Sequence, residues 1–121
     1  MANNIFIIGF GRFGKLLFDI LSSDNKLNNK FNIKFYDENK KYKSHKDYQN
    51  LQEGVSSADQ VFLCVPIRYM QKTISQISSL LKPGSVVIDV CSVKILPKGA
   101  VKAPVSMYFS LITLVIKSLS N

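Results

Sequence analysis

The hexapeptide G-F-G-R-F-G, Gly9 to Gly14, constrains the fold of this 121-residue chain more than any other feature. The apolar run N-I-F-I-I ends at its first glycine, which is typical of a buried strand. Beyond the motif, apolar residues recur at a spacing of three and four, so the pattern predicts a helix from about Arg12 to Ser22. A strand, a glycine turn and a helix in this order form the first half of a βαβ unit.

The rest of the chain repeats the alternation of strand and helix. A polar turn, S-S-D-N-K-L-N-N-K, precedes a strand F-N-I-K-F-Y-D that ends at Asp37. The segment D-Y-Q-N-L-Q-E-G-V-S-S-A-D indicates a short helix and at most a weak third strand. Q-V-F-L-C-V-P is a buried strand stopped by Pro66, and S-V-V-I-D-V is the next. The helix between them would bury one face, which consists of Ile67, Met70, Ile74, Ile77 and Leu81.

These alternating elements predict an α/β fold with a Rossmann-like doubly wound parallel sheet, covered by helices on both faces in a single domain. Right-handed crossovers would give the strand order 3-2-1-4-5. We expect residues 1–100 to form this NAD(P)-binding domain and residues 101–121 to be an amphipathic C-terminal segment.

The glycine spacing in this context is typical of a site for a dinucleotide pyrophosphate. Gly9 would permit the tight turn, Gly11 the close approach of the phosphates, and Gly14 the packing of helix against strand. The N-terminus of the helix offers N–H groups and a positive dipole end. Arg12 would either add a charge there or lie in solvent.

Asp37 ends the second strand, where a carboxylate can accept both ribose hydroxyls of NAD and repel the 2′-phosphate of NADP. An ordinary turn aspartate is the alternative. The lysines that follow could serve a 2′-phosphate, although a solvated loop explains them as well; they are Lys40, Lys41, Lys43 and Lys46. NAD is therefore the expected cofactor, and NADP remains possible.

Val65 and Pro66 stand at the carboxyl end of the fourth predicted strand, next to the crevice where ligands bind in open α/β sheets. The fifth strand ends in D-V-C-S-V-K, so residues 89–94 would emerge on the same rim. Ser92 could form a hydrogen bond near a nicotinamide, and Lys94 could meet an anion. The expected cofactor-binding residues are Gly9, Phe10, Gly11, Arg12, Phe13, Gly14, Asp37, Val65, Pro66 and Ser92.

Three segments, I-I-G-F-G-R-F-G-K-L-L, V-F-L-C-V-P-I-R-Y-M-Q-K-T-I and L-L-K-P-G-S-V-V-I-D-V-C-S-V-K-I-L-P, together resemble the prephenate/arogenate dehydrogenases of tyrosine biosynthesis. The resemblance covers residues 4–98, and D-V-x-S-V-K is its most specific part. It implies a nucleotide-binding domain followed by a helical dimerising domain, and an NAD(P)-dependent oxidative decarboxylation. It also implies that Ser92 lies near the substrate hydroxyl and is the one catalytic candidate.

The chain departs from that family in one respect that bears on activity. The family has a histidine in an H-P-[MI]-x-G motif beyond S-V-K, where it polarises the ring hydroxyl. Here that region is A-P-V-S-M-Y-F-S-L-I-T-L-V-I-K-S-L-S-N, and the only histidine, His45, does not match. We therefore expect a truncated or frameshifted dehydrogenase with residues 102–121 outside the family, a stand-alone nucleotide-binding protein, or a chain completed by a partner. Loss of a polarising group costs about 10²–10⁴-fold, so little or no turnover is expected alone.

Composition narrows the remaining function classes. The net charge is +8, but all but two of the 16 basic residues are lysine, which favours a solvated surface or anionic small ligands over nucleic acid. No metal-ligand spacing, membrane span or signal peptide is found, so a cytoplasmic chain without metal is expected. The two cysteines, Cys64 and Cys91, end apolar runs and suggest small buried residues.

The C-terminal segment repeats apolar residues at helical spacing from Tyr108 to Leu119. It would either pack on the sheet of its own chain or form a homodimer through residues 105–119. For the whole chain, the alternative function is a nucleotide-sensing regulatory module like those of potassium channels and transporters, which carry a similar glycine motif. Such a module would not need Pro66 or the S-V-K segment.

Overall fold

The computed structural model describes residues 3–28 and 31–89, which form a parallel sheet with helices on both faces. Its α-helices are α1 (Arg12–Asn28), α2 (Leu51–Ser57) and α3 (Met70–Ile77). Short 3₁₀ helices occupy Lys40–Tyr42 and Ile67–Tyr69. The strands are β1 (Asn3–Ile8), β2 (Phe31–Tyr36), β3 (Gln60–Leu63) and β4 (Val86–Asp89).

The four strands are parallel and lie in the order β2-β1-β3-β4. β1 is central, and its residues Ile5 to Ile8 are almost completely buried. Such a run has no polar alternation because both of its faces meet helices. The doubly wound α/β fold predicted from the sequence is confirmed.

Each face of the sheet has its own apolar layer. The layer under α1 contains Ile5, Ile7, Phe10, Leu17, Leu21, Phe31, Ile33, Phe35, Phe62 and Ile88. The opposite layer, under α2 and α3, contains Phe6, Ile8, Val55, Ala58, Val61, Leu63, Met70 and Ile77. Successive strand residues alternate between the two layers, as the pleat requires.

The predicted polar turn after Ser22 is wrong, because α1 continues to Asn28. The apolar repeat weakens after Leu21, because the five residues that follow it are polar. A helix that has already formed extends at little cost, however, and no glycine or proline follows Gly14 within it.

The weak third strand is absent from the described residues. Tyr48 forms a single parallel bridge to Phe35, and α2 follows directly. The Asn50 side chain caps α2 by accepting a hydrogen bond from the Glu53 N–H at 2.9 Å. The observed order is therefore the predicted 3-2-1-4-5 without its strand 3.

The helix after Pro66 differs from the prediction in extent and in its buried face. It begins as a 3₁₀ helix and continues as α3 only to Ile77. Thr73 is buried and donates its hydroxyl hydrogen to the Tyr69 carbonyl at 2.8 Å, whereas Ile74 is 45% exposed. A local hydrogen bond makes the threonine acceptable on the buried face.

Among the described residues, helices cover both faces of the central strands but not the β4 side of the sheet. Val86 and Val87 are exposed on β4, and so are Leu16 and Ile20 on α1. On the helical wheel, Leu16 and Ile20 lie on the flank of α1 opposite Phe18, which contacts Phe35 of β2. That flank therefore points toward β4.

The predictions for Ser92, Lys94, Cys91 and residues 105–119 lie outside the described residues. No helix in the described part of the chain is long and apolar enough to cross a membrane.

Candidate functional site

The glycine loop joins the end of β1 to the start of α1 at the carboxyl edge of the sheet. Gly9 has φ +100°, a conformation that favours glycine, and its N–H donates to the Tyr36 carbonyl at 2.8 Å. A β-carbon at Gly9 would lie 2.7 Å from the Cys64 carbonyl oxygen. The backbone of Tyr36 on one side and of Cys64 on the other thus requires the tight turn predicted for Gly9.

The other two motif glycines have different surroundings. A β-carbon at Gly14 would collide with the Gly9 carbonyl oxygen, so the close packing predicted for Gly14 is confirmed. At Gly11 no atom lies within 4 Å of the same position. Gly11 lines an open cavity, and α1 begins next to it at Arg12 with its positive dipole end.

Phe10 does not present its side chain to this cavity. Its ring is buried and stacks on Phe35 with 3.7 Å between the ring centroids, while Phe18 and Tyr42 meet it edge-on. Phe10 was predicted as a cofactor contact, and this prediction is corrected for its side chain, which does not line the cavity. The ring instead anchors the loop in an aromatic cluster.

Asp37 fixes the glycine loop from the end of β2. Its Oδ2 accepts a hydrogen bond from the Phe10 N–H at 2.7 Å, and its Oδ1 accepts one from the Asn39 N–H at 2.8 Å. The second bond, to a backbone N–H two residues further on, is the geometry of an ordinary turn aspartate, which was the alternative to a ribose-binding role. A carboxylate has about four acceptor positions, so these two bonds leave room for ribose hydroxyls.

One cavity of about 760 Å³ lies along the carboxyl ends of β1, β2 and β3. This volume is within the range of small-molecule sites. Of the residues predicted from the sequence, the cavity brings together Gly9, Gly11, Arg12, Phe13, Asp37, Val65 and Pro66. Phe10 and Gly14 do not line it, and Ser92 lies outside the described residues.

Sequence reasoning missed a second set of cavity residues. Glu38 follows Asp37, Leu51 begins α2, and Arg68, Tyr69, Thr73 and Gln76 come from the segment that leads into α3. The spacing of Tyr69, Thr73 and Gln76 is that of one helix flank, which was a usable signal. The sequence offered no way to see that this flank lines the cavity.

Tyr36 also lines the cavity. Burial, with smaller effects from Tyr48, Glu38 and Asp37, raises the pKa of its phenol above the ordinary 10.0. The hydroxyl is therefore neutral near pH 7 and can donate a hydrogen bond to a ligand.

The lysines that follow Asp37 do not line the cavity. Lys41 instead places its Nζ 5.0 Å from the centroid of the Tyr42 ring, and Lys15 lies over Phe10 and Tyr42. These contacts are cation–π interactions on the aromatic cluster.

Two further residues with reactive side chains, Cys64 and His45, lie in different surroundings. Cys64 is half-buried and lines the cavity rather than the deep core. His45 is exposed, and its Nδ1 accepts a hydrogen bond from the Asp47 N–H at 3.0 Å. Residues 3–28 and 31–89 hold no group of three His, Cys, Asp or Glu side chains arranged for a metal ion.

Comparisons with known proteins agree with this geometry. A family model described as prephenate dehydrogenase, nucleotide-binding domain, matches residues 26–113. Synechocystis arogenate dehydrogenase superposes with a TM-score of 0.61 at 21% identity, covering 88% of this chain and 38% of that one. A semialdehyde dehydrogenase NAD-binding protein from Cupriavidus necator, solved with calcium and NAD, gives 0.55 at 21% identity, covering 74% and 33%. Among curated proteins no match is found.

The three findings carry different weight. The solved structures share the fold, and this chain spans 33% and 38% of their lengths. The family match covers most of this chain and extends to residue 113, which is inconsistent with residues 102–121 lying wholly outside the family. The matched range begins at residue 26, after the glycine motif, so the assignment of that motif to a dinucleotide site rests on its geometry. The prediction of a dinucleotide cofactor agrees with the nucleotide-binding family and with the NAD-bound neighbour.

Proposed function

The chain belongs to the family defined by the nucleotide-binding domain of prephenate dehydrogenase, and on this premise we propose that it binds NAD at the carboxyl edge of its sheet. NAD supplies the hydride acceptor in such enzymes. The chain's own residues would hold the dinucleotide along the cavity and orient its nicotinamide beside Val65 and Pro66.

The observation that carries the proposal is the open space at Gly11 combined with the clash at Gly14. One glycine leaves room for a ligand, and the other keeps α1 against β1, which holds the helix N-terminus at the cavity. Phosphates favour such a helix N-terminus because its N–H groups and dipole point at them.

A preference for NAD over NADP is favoured by the charges on the β2 side of the cavity. Asp37 and Glu38 both line it, and the lysines Lys40, Lys41, Lys43 and Lys46 do not. A 2′-phosphate placed beside two carboxylates would be repelled. The ribose hydroxyls of NAD would instead donate to Asp37.

The reaction we propose for the complete site is the oxidative decarboxylation of prephenate or arogenate. Ser92 would contact the substrate hydroxyl, as the family resemblance implies. The family's polarising histidine has no counterpart in the 121 residues, so we expect the chain alone to give little or no turnover.

The first experiment is a calorimetric titration of the chain with NAD and then NADP. NAD should bind, and at about 100 times its dissociation constant it should add roughly 2.7 kcal/mol to the free energy of unfolding. Asp37→Ala should weaken NAD binding and narrow the difference from NADP. Asp19→Ala is the matched control, because Asp19 is exposed on α1 and does not line the cavity.

Failure of both cofactors to bind the unmodified chain would refute the proposal. If Asp37→Ala changed binding no more than Asp19→Ala, the ribose assignment would be wrong while the cofactor assignment stood.

The family match favours a dehydrogenase origin over a regulatory module of the potassium-channel type. Homodimer formation through residues 105–119 stays a prediction, and sedimentation at several concentrations tests it. An increase in mass with concentration would support the dimer.

A further inference from the structure

The chain has two arginines, Arg12 and Arg68, and both line the cavity. They reach it from opposite faces of the sheet. Arg12 opens α1, which packs on one apolar layer, whereas Arg68 precedes α3, which packs on the other. β1 and β3, the strands before them, are neighbours in the sheet. A ligand lying along this edge would therefore meet one arginine from each side.

The Arg68 side chain is held in a form suited to binding an anion. Its guanidinium carbon lies 4.9 Å from the centroid of the Tyr69 ring. In this cation–π contact the guanidinium is attracted by the face of the ring and not by an acceptor atom, so its N–H groups keep their capacity to donate to an anion. Within residues 3–28 and 31–89, Arg68 forms no ion pair with a carboxylate.

Local hydrogen bonds and a buried neighbour define the backbone around Arg68. The Tyr69 N–H donates to the Pro66 carbonyl at 2.9 Å, and the Thr73 hydroxyl donates to the Tyr69 carbonyl at 2.8 Å. Met70 is buried directly after it. The position of the Arg68 backbone is thus fixed before any ligand arrives, which lowers the entropic cost of binding.

We propose that Arg68 binds the diphosphate of the ligand from the α3 side, opposite Arg12, so that each arginine contacts one phosphate. This inference rests on the proposed function, since it assigns a residue to the same site. The ligand class is a nucleoside diphosphate, and the planar guanidinium suits bidentate contact with phosphate oxygens. Among the described residues the cavity has no lysine in its lining to share the role.

The test compares Arg68→Ala with Lys72→Ala in the full chain. Lys72 is an exposed cation on α3 that does not line the cavity, so its loss changes the net charge equally. Calorimetry would use NAD, ADP and adenosine. Arg68→Ala should weaken NAD and ADP about 10- to 100-fold, with Arg68→Lys in between, and leave adenosine unchanged. Lys72→Ala should have an effect of less than about threefold on all three.

Different results would overturn the two proposals. If NAD binds the unmodified chain and Arg68→Ala behaves like Lys72→Ala, the assignment of Arg68 is wrong and the proposed function stands. Equal weakening of adenosine and ADP would also overturn it, because the arginine would then contact the base. If the unmodified chain binds neither NAD nor ADP, the proposed function itself fails. Thermal unfolding of each variant confirms that it is folded.

Discussion

At the scale of single residues, three glycines of one motif meet three different constraints. Gly9 is fixed by its own backbone angle, Gly14 by the neighbouring Gly9 carbonyl, and Gly11 by nothing in the protein itself. The sequence predicts all three positions from their spacing. Their spacing also predicts the separate role of each, and the structure identifies the atoms that a β-carbon would meet at Gly9 and Gly14 and the open space at Gly11.

Gly14→Ala should therefore reduce the stability of the fold, and Gly11→Ala should reduce the affinity for NAD. Gly14→Ala forces α1 away from β1 and should lower the free energy of unfolding by about 1–3 kcal/mol or more. Gly11→Ala should change it by less than about 1 kcal/mol and should instead weaken NAD binding, because the new methyl occupies the phosphate approach. Urea unfolding and calorimetry on both variants measure the two effects.

The observation that would contradict this account is a stable Gly14→Ala protein. Equally, a Gly11→Ala protein that binds NAD like the unmodified chain would show that the diphosphate does not approach the loop there.

At the scale of elements, α1 shows what helical periodicity can and cannot predict. The apolar spacing indicates a helix from Arg12, and that start is confirmed. It does not indicate which apolar residues are buried, since Leu17 is 2% exposed and its neighbour Leu16 is 55% exposed. The difference arises because only one flank of the helix meets the sheet.

Substitution of these two leucines tests the packing of α1. Leu17→Ala should lower the free energy of unfolding by about 2–5 kcal/mol, because it leaves a cavity between α1 and the sheet. Leu16→Ala removes the same atoms from the exposed flank and should cost less than about 0.5 kcal/mol. Chemical denaturation of both variants gives the comparison, and equal losses would mean that the β4-side flank of α1 is also covered in solution.

At the scale of the whole molecule, the two edges of the sheet have separate roles. The carboxyl edge carries the cavity, and Asp59 links the strands at the amino edge. Its carboxylate accepts the Asn4 N–H at 2.8 Å and pairs with Lys82 Nζ at 2.7 Å, while its carbonyl accepts the Val86 N–H at 2.9 Å. Asp59 thus connects β1, β3 and the start of β4 far from the ligand site.

This arrangement predicts a pH dependence of stability that does not involve the site. The hydrogen bond from Lys82 and that from Asn4 lower the pKa of Asp59 below its ordinary 3.8. A lowered folded-state pKa means that the stabilisation is complete above that ordinary value and is lost as the pH falls through the lowered one. The difference in unfolding free energy between the unmodified chain and Asp59→Asn should therefore be constant near neutral pH and shrink below about pH 4.

Urea unfolding from pH 7 to pH 2.5 measures that difference. Asp19→Asn is the control, since Asp19 is exposed and forms no hydrogen bond or ion pair within the described residues. NAD affinity at pH 7 should be the same for Asp59→Asn as for the unmodified chain. A difference in stability that stayed constant down to pH 2.5 would show that the lost interactions are not those of the carboxylate.

The sequence by itself determined the elements and the kind of site. Apolar runs that end at Gly9, Asp37 and Pro66 specify the buried strands and the edge where they stop, because these are local patterns of burial and turn chemistry. The tertiary structure decided where α1 ends, that Phe10 faces the core, and that Arg68 and Glu38 reach the cavity. Those outcomes depend on contacts between segments far apart in the chain, which no local spacing encodes.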